Sequence, residues 1–339
     1  MTRVAAIDCG TNSLRLLVAD VPPAGRPEAG REPALRDVVR RMEVVRLGEG
    51  VDATGTFAPA AIERTRVVLA DYARLIATLG AERVRMVATS ASRDVTNRAD
   101  FEAMVRRTLG RAPDVISGEE EARLSFAGAT RDLAGVDPPY LVLDIGGGST
   151  EFVLGGRDSG RDSGQGFSRD LSRDDSRHDV VGAASVDIGC VRLTERHLHT
   201  DPPTAAEIAA AEADIRAGVT EAGRALDLSE AASLVGLAGS VTTVAALALE
   251  LPTYDAERIH LARIGAEQVK AVTTMLLGAT RAERAALPVM HPGRVDVIGA
   301  GALILRTVME QTHLDSVLAS EHDILDGMAL ALALALAEG

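Results

Sequence analysis

Short apolar runs separated by polar turns open the chain. Val4-Ala5-Ala6-Ile7 ahead of Asp8, and Leu14 through Ala19, predict two strands joined by a Gly10-Thr11-Asn12-Ser13 turn, a hairpin with a polar tip. A second hairpin signal lies between Leu35 and Leu47. Pro59 then starts a segment in which Ile62, Leu69, Tyr72, Ile76 and Leu79 recur at helical spacing until Gly80 stops it. The pattern next predicts a strand at Val84–Thr89, a helix at Ala99–Leu109, a strand at Asp114–Ser117 and a helix at Glu119–Ala129. Strands first, then strand and helix in alternation, predict an α/β domain.

The pattern then restarts. Tyr140 through Gly146 and Thr150 through Leu154 read as another strand pair around another glycine-rich turn. Laying Asp8-Cys9-Gly10-Thr11-Asn12-Ser13 over Asp144-Ile145-Gly146-Gly147-Gly148-Ser149 matches the Asp, the Gly and the Ser at an offset of 136 residues. That offset is the size of a domain, so the chain reads as two related halves with an interdomain cleft lined by the two hairpin tips. Further on, the pattern gives a strand ending at Asp187-Ile188-Gly189, a helix from Val191, a long helix over Thr204–Ala225 and a strand over Ser233–Leu237. Met328 to Ala337 alternates Ala with Leu; without β-branched residues this predicts a helix rather than a strand. Between Gly156 and Asp179 five Arg and six Asp stand among Ser and Gly with almost nothing apolar, which predicts a disordered insertion.

Composition narrows the chemistry. The 339 residues carry 36 Lys+Arg against 49 Asp+Glu, a net charge of −13, with 46% hydrophobic residues and no apolar run long enough to span a membrane. Two cysteines, Cys9 and Cys190, exclude a disulfide framework and read as packed small hydrophobes, and with no cleavable leader pattern the sequence predicts a cytoplasmic protein. Lys270 is the single lysine, so no G-x-x-x-x-G-K-[ST] loop exists, and its surroundings do not suit a Schiff-base enzyme. Trp is absent and aromatics are 2%, which with the acidic balance argues against nucleic-acid binding, duplex DNA included. His197, His199, His260, His291, His313 and His322 form no H-x-x-x-H or H-E-x-x-H pair, so no zinc site is expected.

The candidate chemistry is phosphate chemistry. In Asp144 through Glu151 three consecutive glycines let backbone N–H groups converge on phosphate oxygens, while Asp144 and Glu151 are hard oxygen donors suited to Mg²⁺. Gly10, Thr11, Asn12 and Ser13 supply amide and hydroxyl donors, and Arg15 a possible guanidinium fork. Thr89-Ser90-Ala91-Ser92-Arg93-Asp94 follows a strand end, where α/β proteins place ligand contacts. Ala238-Gly239-Ser240 sits at a helix start, whose free N–H groups favour an anion. Glu119, Glu120 and Glu121 open a helix; one of them could orient a water, although three carboxylates also suit the helix dipole alone.

At Ala6–Ser13, Thr89–Asp94, Ile116–Arg123, Leu143–Glu151, Gly236–Thr242 and Asp296–Gly301 the sequence resembles the exopolyphosphatase and guanosine pentaphosphate phosphohydrolase (Ppx/GppA) family. The resemblance implies an α/β fold of two actin-like (ASKHA, ribonuclease H-like) duplicated domains, here 1–125 and 126–339, with the final helix, about 324–337, packing back on the first lobe. It also implies Mg²⁺-dependent hydrolysis of the terminal phosphate of linear polyphosphate, with Mn²⁺ as a possible substitute and a homodimer as the assembly. The family's catalytic glutamate precedes Ala-Arg and falls on Glu121. Its metal-associated carboxylates fall on Asp144 and Glu151, with Asp8 a further candidate, and its phosphate contacts on Asn12, Ser13, Arg93, Ser149, Gly239 and Ser240; Gly146, Gly147 and Gly148 complete the loop. Two departures stand out. The sequence stops shortly after Ser320–Gly327, where long members continue into an extra helical module, so a preference for short chains is expected, and the 156–179 insertion is foreign to the family pattern. Hydrolysis of guanosine pentaphosphate is the nearest rival reading. An actin-fold kinase and a polyphosphate or alarmone sensor without turnover are rivals of other classes.

Overall fold

The structure, a computed structural model, describes residues 1–21, 35–156 and 180–335. The disorder expected for the Arg-Asp-Ser-Gly insertion and the last two residues of the expected C-terminal helix fall outside them. The fold divides into two units, Met1–Gly128 with Gly146–Gly148 and Ile324–Gly339, and Ala129–Ile145 with Ser149–Asp323. No helix among the described residues is long and apolar enough to cross a membrane.

In unit 1, β1 (Thr2–Cys9), β2 (Ser13–Val21) and β3 (Arg36–Val44) form an antiparallel meander. Short α1 (Val51–Thr54) and long α2 (Pro59–Leu79) follow, then β4 (Arg83–Ala88) beside β1 and in parallel with it. After α3 (Ser90–Arg93), α4 (Arg98–Leu109), β5 (Asp114–Val115) and α5 (Gly118–Thr130), the sheet order is β3-β2-β1-β4-β5. Alternation along β1 sorts its side chains to two faces. Ala5, Ile7 and Cys9 meet Leu69, Tyr72 and Ile76 of α2 and Phe101 and Met104 of α4. Val4 and Ala6 meet Ile116, Leu124 and the C-terminal helix through Ile324, Leu325 and Met328. The sheet is thus covered on both sides, which explains why its central strand is apolar at nearly every position.

One expectation is corrected here. The segment between Leu35 and Leu47 is not a hairpin; it contributes a single strand, β3, registered against β2 from Ser13↔Val44 to Asp20↔Arg36. Its charges, Arg36, Asp37, Arg40, Arg41 and Glu43, sit on an edge strand, where charge discourages pairing with another chain.

Unit 2 repeats the plan with β6 (Tyr140–Ile145), β7 (Thr150–Gly155) and β8 (Val180–Val186) as the meander. After α6 (Cys190–His197) and α7 (Ala205–Ala225), β9 (Ser233–Leu237) joins β6 in parallel and leads into α8 (Ala238–Ala248). Then come α9 (Ala256–Ile259), β10 (Ala262–Gly265), α10 (Ala266–Gly278), α11 (Arg281–Ala285), α12 (Ile298–Thr312) and β11 (Ser316–Ala319), in sheet order β10-β11-β9-β6-β7-β8. The chain closes with α13 (Ile324–Ala335), counted with unit 1. Its Ala-Leu run is helical, as propensity requires, and Gly327 lets it approach α5 closely: a Cβ there would lie 2.0 Å from the Leu124 carbonyl oxygen. Two actin-like α/β halves are therefore present, each an antiparallel meander extended by parallel strands, with β10 added antiparallel at the edge of the second.

Candidate active site

The first hairpin tip is held from behind. Gly10 N–H donates to Ser13 O, the Asn12 carbonyl accepts from the amides of Val45 and Arg46, and Gly48 N–H donates to Thr11 O at 2.8 Å. These bonds use the tip's carbonyls and leave side chains to face the glycine turn Gly146–Gly148. A Cβ on Gly148 would lie 2.5 Å from Ser90 Oγ and 2.8 Å from Thr11 Oγ1, and one on Gly147 would lie 3.3 Å from the Asn12 amide nitrogen. Glycine is required because Thr11, Asn12 and Ser90 come this close. The hydroxyls of Thr11, Ser90 and Ser92 are buried and make no hydrogen bond among the described residues. Buried polar atoms ordinarily find partners, so Thr11 and Ser90 at the glycine turn mark a place for a polar ligand.

Arg93 ends α3, one turn after Ser90. Its Nη1 donates to Glu121 Oε2 at 2.8 Å and to Ile116 O at 3.2 Å. Its Nε and Nη2 make no further hydrogen bond among the described residues, so the guanidinium can hold Glu121 with one edge and an anion with another. Glu121 lies in the first turn of α5 and is the least exposed of the three consecutive glutamates, at 12% of its side chain. The others are spent elsewhere: Glu119 pairs with Arg123, and Glu120 with Arg85 at 2.7 Å. The structure thus sets Glu121 apart by burial and partner, at the position the resemblance pointed to.

Asp8 is the penultimate residue of β1 and is buried; Arg15, its direct neighbour across the strands, donates to Asp8 Oδ2 from Nε at 2.9 Å and from Nη2 at 2.6 Å. In unit 2 the neighbour of Asp144 across the strands is Glu151. Both are buried, Asp144 at 6% and Glu151 at 1% exposure. Glu151 Oε1 accepts from Ser149 Oγ at 2.6 Å and Ser185 Oγ at 2.8 Å, which fixes the carboxylate's orientation. Two carboxylates directly opposed across a strand pair and withdrawn from water repel each other, and a hard divalent cation is the partner such an all-oxygen set suits. The residues present therefore fit Mg²⁺.

Gly239 and Ser240 lie at the start of α8, which has no side-chain cap, so its first amides are free to meet an anion. The turn into the helix is tight: Ala238 has φ 65°, a left-handed conformation that costs a non-glycine residue about 1 kcal/mol. Arg294, which the sequence reading passed over, lies across this turn. Its guanidinium carbon would be 2.2 Å from a Cβ on Gly239, and its Nη1 donates to Thr243 Oγ1. Gly301 lies under Ser240, since a Cβ there would be 2.2 Å from Ser240 Oγ. Burial pushes the Cys190 thiol up to about 11 and raises that of Cys9 above its usual range, as befits packed, unreactive sulfurs.

Comparison with known proteins places these features in context. A model of the Ppx/GppA phosphatase family matches residues 27–335. The chain is 51% identical to Exopolyphosphatase 2 of Mycobacterium tuberculosis over 98% of its own length and 99% of that protein's. Among solved structures, an exopolyphosphatase-like protein superposes with a TM-score of 0.89 at 40% identity, covering 99% of this chain and all of the other. The Aquifex aeolicus member of the Ppx/GppA family does so with a TM-score of 0.75 at 28% identity, covering 98% of each.

Proposed function

The chain belongs to the Ppx/GppA phosphatase family, and from that premise we propose that it is a Mg²⁺-dependent exopolyphosphatase that removes the terminal phosphate of linear polyphosphate. The observation that carries the reading is the group of donors at the Gly146–Gly148 turn: two buried hydroxyls without partners, Thr11 and Ser90, beside a pair of glycines that admit no side chain. A phosphate, with acceptor oxygens on every side, satisfies them without needing a complementary base or ring.

In this reading Thr11, Ser90, the amides of the Gly146–Gly148 turn and Arg93 orient the terminal phosphate. Glu121, held as a carboxylate by Arg93, accepts the proton of the attacking water or directs its lone pair in line with the leaving oxygen. Within unit 2, the amides at the start of α8, with Ser240 and Arg294, form a second group suited to an anion. Asp144 and Glu151 would hold the cation, with Ser149 and Ser185 orienting Glu151. When bound, Mg²⁺ supplies charge neutralisation at the phosphate oxygens. The net charge of −13 does not oppose a polyanion, because these amide, hydroxyl and guanidinium donors act locally. The enzyme is proposed to act in the cytoplasm as a homodimer.

Phosphate release with Mg²⁺ from short polyphosphate, long polyphosphate and guanosine pentaphosphate, for the wild type and Glu121→Gln, tests this. We expect release from polyphosphate, reduced about a thousandfold in the variant with its circular dichroism unchanged. Turnover confined to guanosine pentaphosphate, or equal rates in the variant, would overturn the substrate or the base respectively.

A further inference from the structure

Unit 2 contains a second group of metal-type donors, built from other residues than Asp144 and Glu151. Asp132 lies just past α5, His260 just past α9 and His322 just past β11. Asp132 Oδ2, His260 Nε2 and His322 Nδ1 lie within 4.8 Å of one another. Asp132 Oδ2 is 2.7 Å from His322 Nδ1 and 3.9 Å from His260 Nε2, and the two imidazole centroids are 4.3 Å apart. Both Asp132 Oδ2 and His322 Nδ1 are buried, and despite their short approach neither is in hydrogen-bonding geometry. They converge on a point rather than on each other.

We propose that Asp132, His260 and His322 bind a borderline divalent transition metal, with zinc as its representative. Donor separations in a tetrahedral zinc site with imidazole and carboxylate ligands are about 3.3 Å, and the two observed separations fall on either side of this value. Two imidazoles and one carboxylate favour zinc, manganese or nickel over Mg²⁺, in contrast to the all-oxygen pair on the β6–β7 hairpin. Histidine tautomers follow from the assignment: His260 coordinates through Nε2 and carries its proton on Nδ1, so the 3.3 Å contact from the Glu321 amide to that nitrogen opens on binding. Arg131 Nε, 3.2 Å from Asp132 Oδ2, competes with the cation for the same oxygen.

The position gives the metal a structural task. The chain first leaves unit 1 after Gly128 and, apart from the Gly146–Gly148 turn, returns to it at Ile324, so Asp132 and His322 lie near the first and last of these crossings. A cation joining them ties both connections to the segment ahead of β10.

The test is zinc binding to the full chain, stripped with chelator and then titrated by calorimetry in excess Mg²⁺, with cobalt absorption as a second readout. The wild type is expected to retain one zinc per chain and to melt at higher temperature with it. Asp132→Asn, His260→Ala and His322→Ala should each weaken binding by about tenfold or more. Glu151→Gln should leave zinc binding unchanged, and Arg131→Ala should strengthen it. Circular dichroism separates lost ligands from lost fold, and three variants at separate elements keep the test open if one misfolds. Absence of saturable zinc binding under Mg²⁺, or equal affinity in the three ligand variants, would overturn the proposal.

Discussion

The two hairpins that begin the two units are the same structure with one decisive exchange. Asp8 and Asp144 occupy matching positions 136 residues apart, and so do their cross-strand neighbours Arg15 and Glu151. In unit 1 the neighbour is a guanidinium that neutralises the buried aspartate with two hydrogen bonds. In unit 2 it is a second carboxylate that accepts from two serine hydroxyls, and both carboxylates of the pair are buried. The first hairpin pairs its aspartate with a guanidinium of the same chain; in the second, the function proposed above gives that place to Mg²⁺. In the proposed function the duplication therefore separates an ion-paired copy from a metal-holding one.

The comparison can be broken by exchanging the neighbours. Glu151→Arg, which gives the second hairpin the first one's pair, is expected to cut phosphate release about a thousandfold while raising thermal stability in the absence of Mg²⁺. Malachite-green kinetics beside a melting curve reads both effects; an active variant would remove Glu151 from the metal. Arg15→Gln leaves Asp8 buried without its guanidinium and should cost about 3 kcal/mol, read from the urea midpoint. A midpoint equal to the wild type would deny the pair its role. Gly148→Ala drives a methyl toward Ser90 and Thr11 and should lower kcat/KM about a hundredfold. Gly278→Ala, where nothing lies within 4 Å, is the control expected to leave activity intact. The smallest effect is that of Ser185→Ala, which removes a donor to Glu151 and should weaken Mg²⁺ affinity by about 1 kcal/mol in calorimetry.

The architecture was legible because its signals are local. Strand pairs around polar turns, helical spacing between Pro59 and Gly80, and the Ala-Leu helix each follow from a short window of sequence. The repeat of the Asp-x-Gly turn gave the duplication, and the same offset already pairs Arg15 with Glu151. What failed at Leu35–Leu47 was a count of strands: an edge strand dense in charge looks like a turn between two shorter ones. Among Glu119, Glu120 and Glu121 the motif before Ala-Arg already pointed to Glu121; the ion pairs from β4 and α3, which no local pattern encodes, add the contrast in burial and partners. Arg294 reaches Gly239 from the turn before α12, and Ser185 reaches Glu151 from a strand beyond the Arg-Asp-Ser-Gly insertion. His260 and His322 escaped the search for metal motifs because they lie on different connections and meet only in the folded sheet.

The claim that the β6–β7 hairpin requires a divalent cation is tested most directly by melting temperature against Mg²⁺ concentration for the wild type and Glu151→Gln. The account predicts that Mg²⁺ raises the wild-type midpoint saturably, that the variant without metal melts above the metal-free wild type, and that Mg²⁺ leaves the variant's midpoint where it was. A wild type indifferent to Mg²⁺, or a variant that responds as the wild type does, would contradict it.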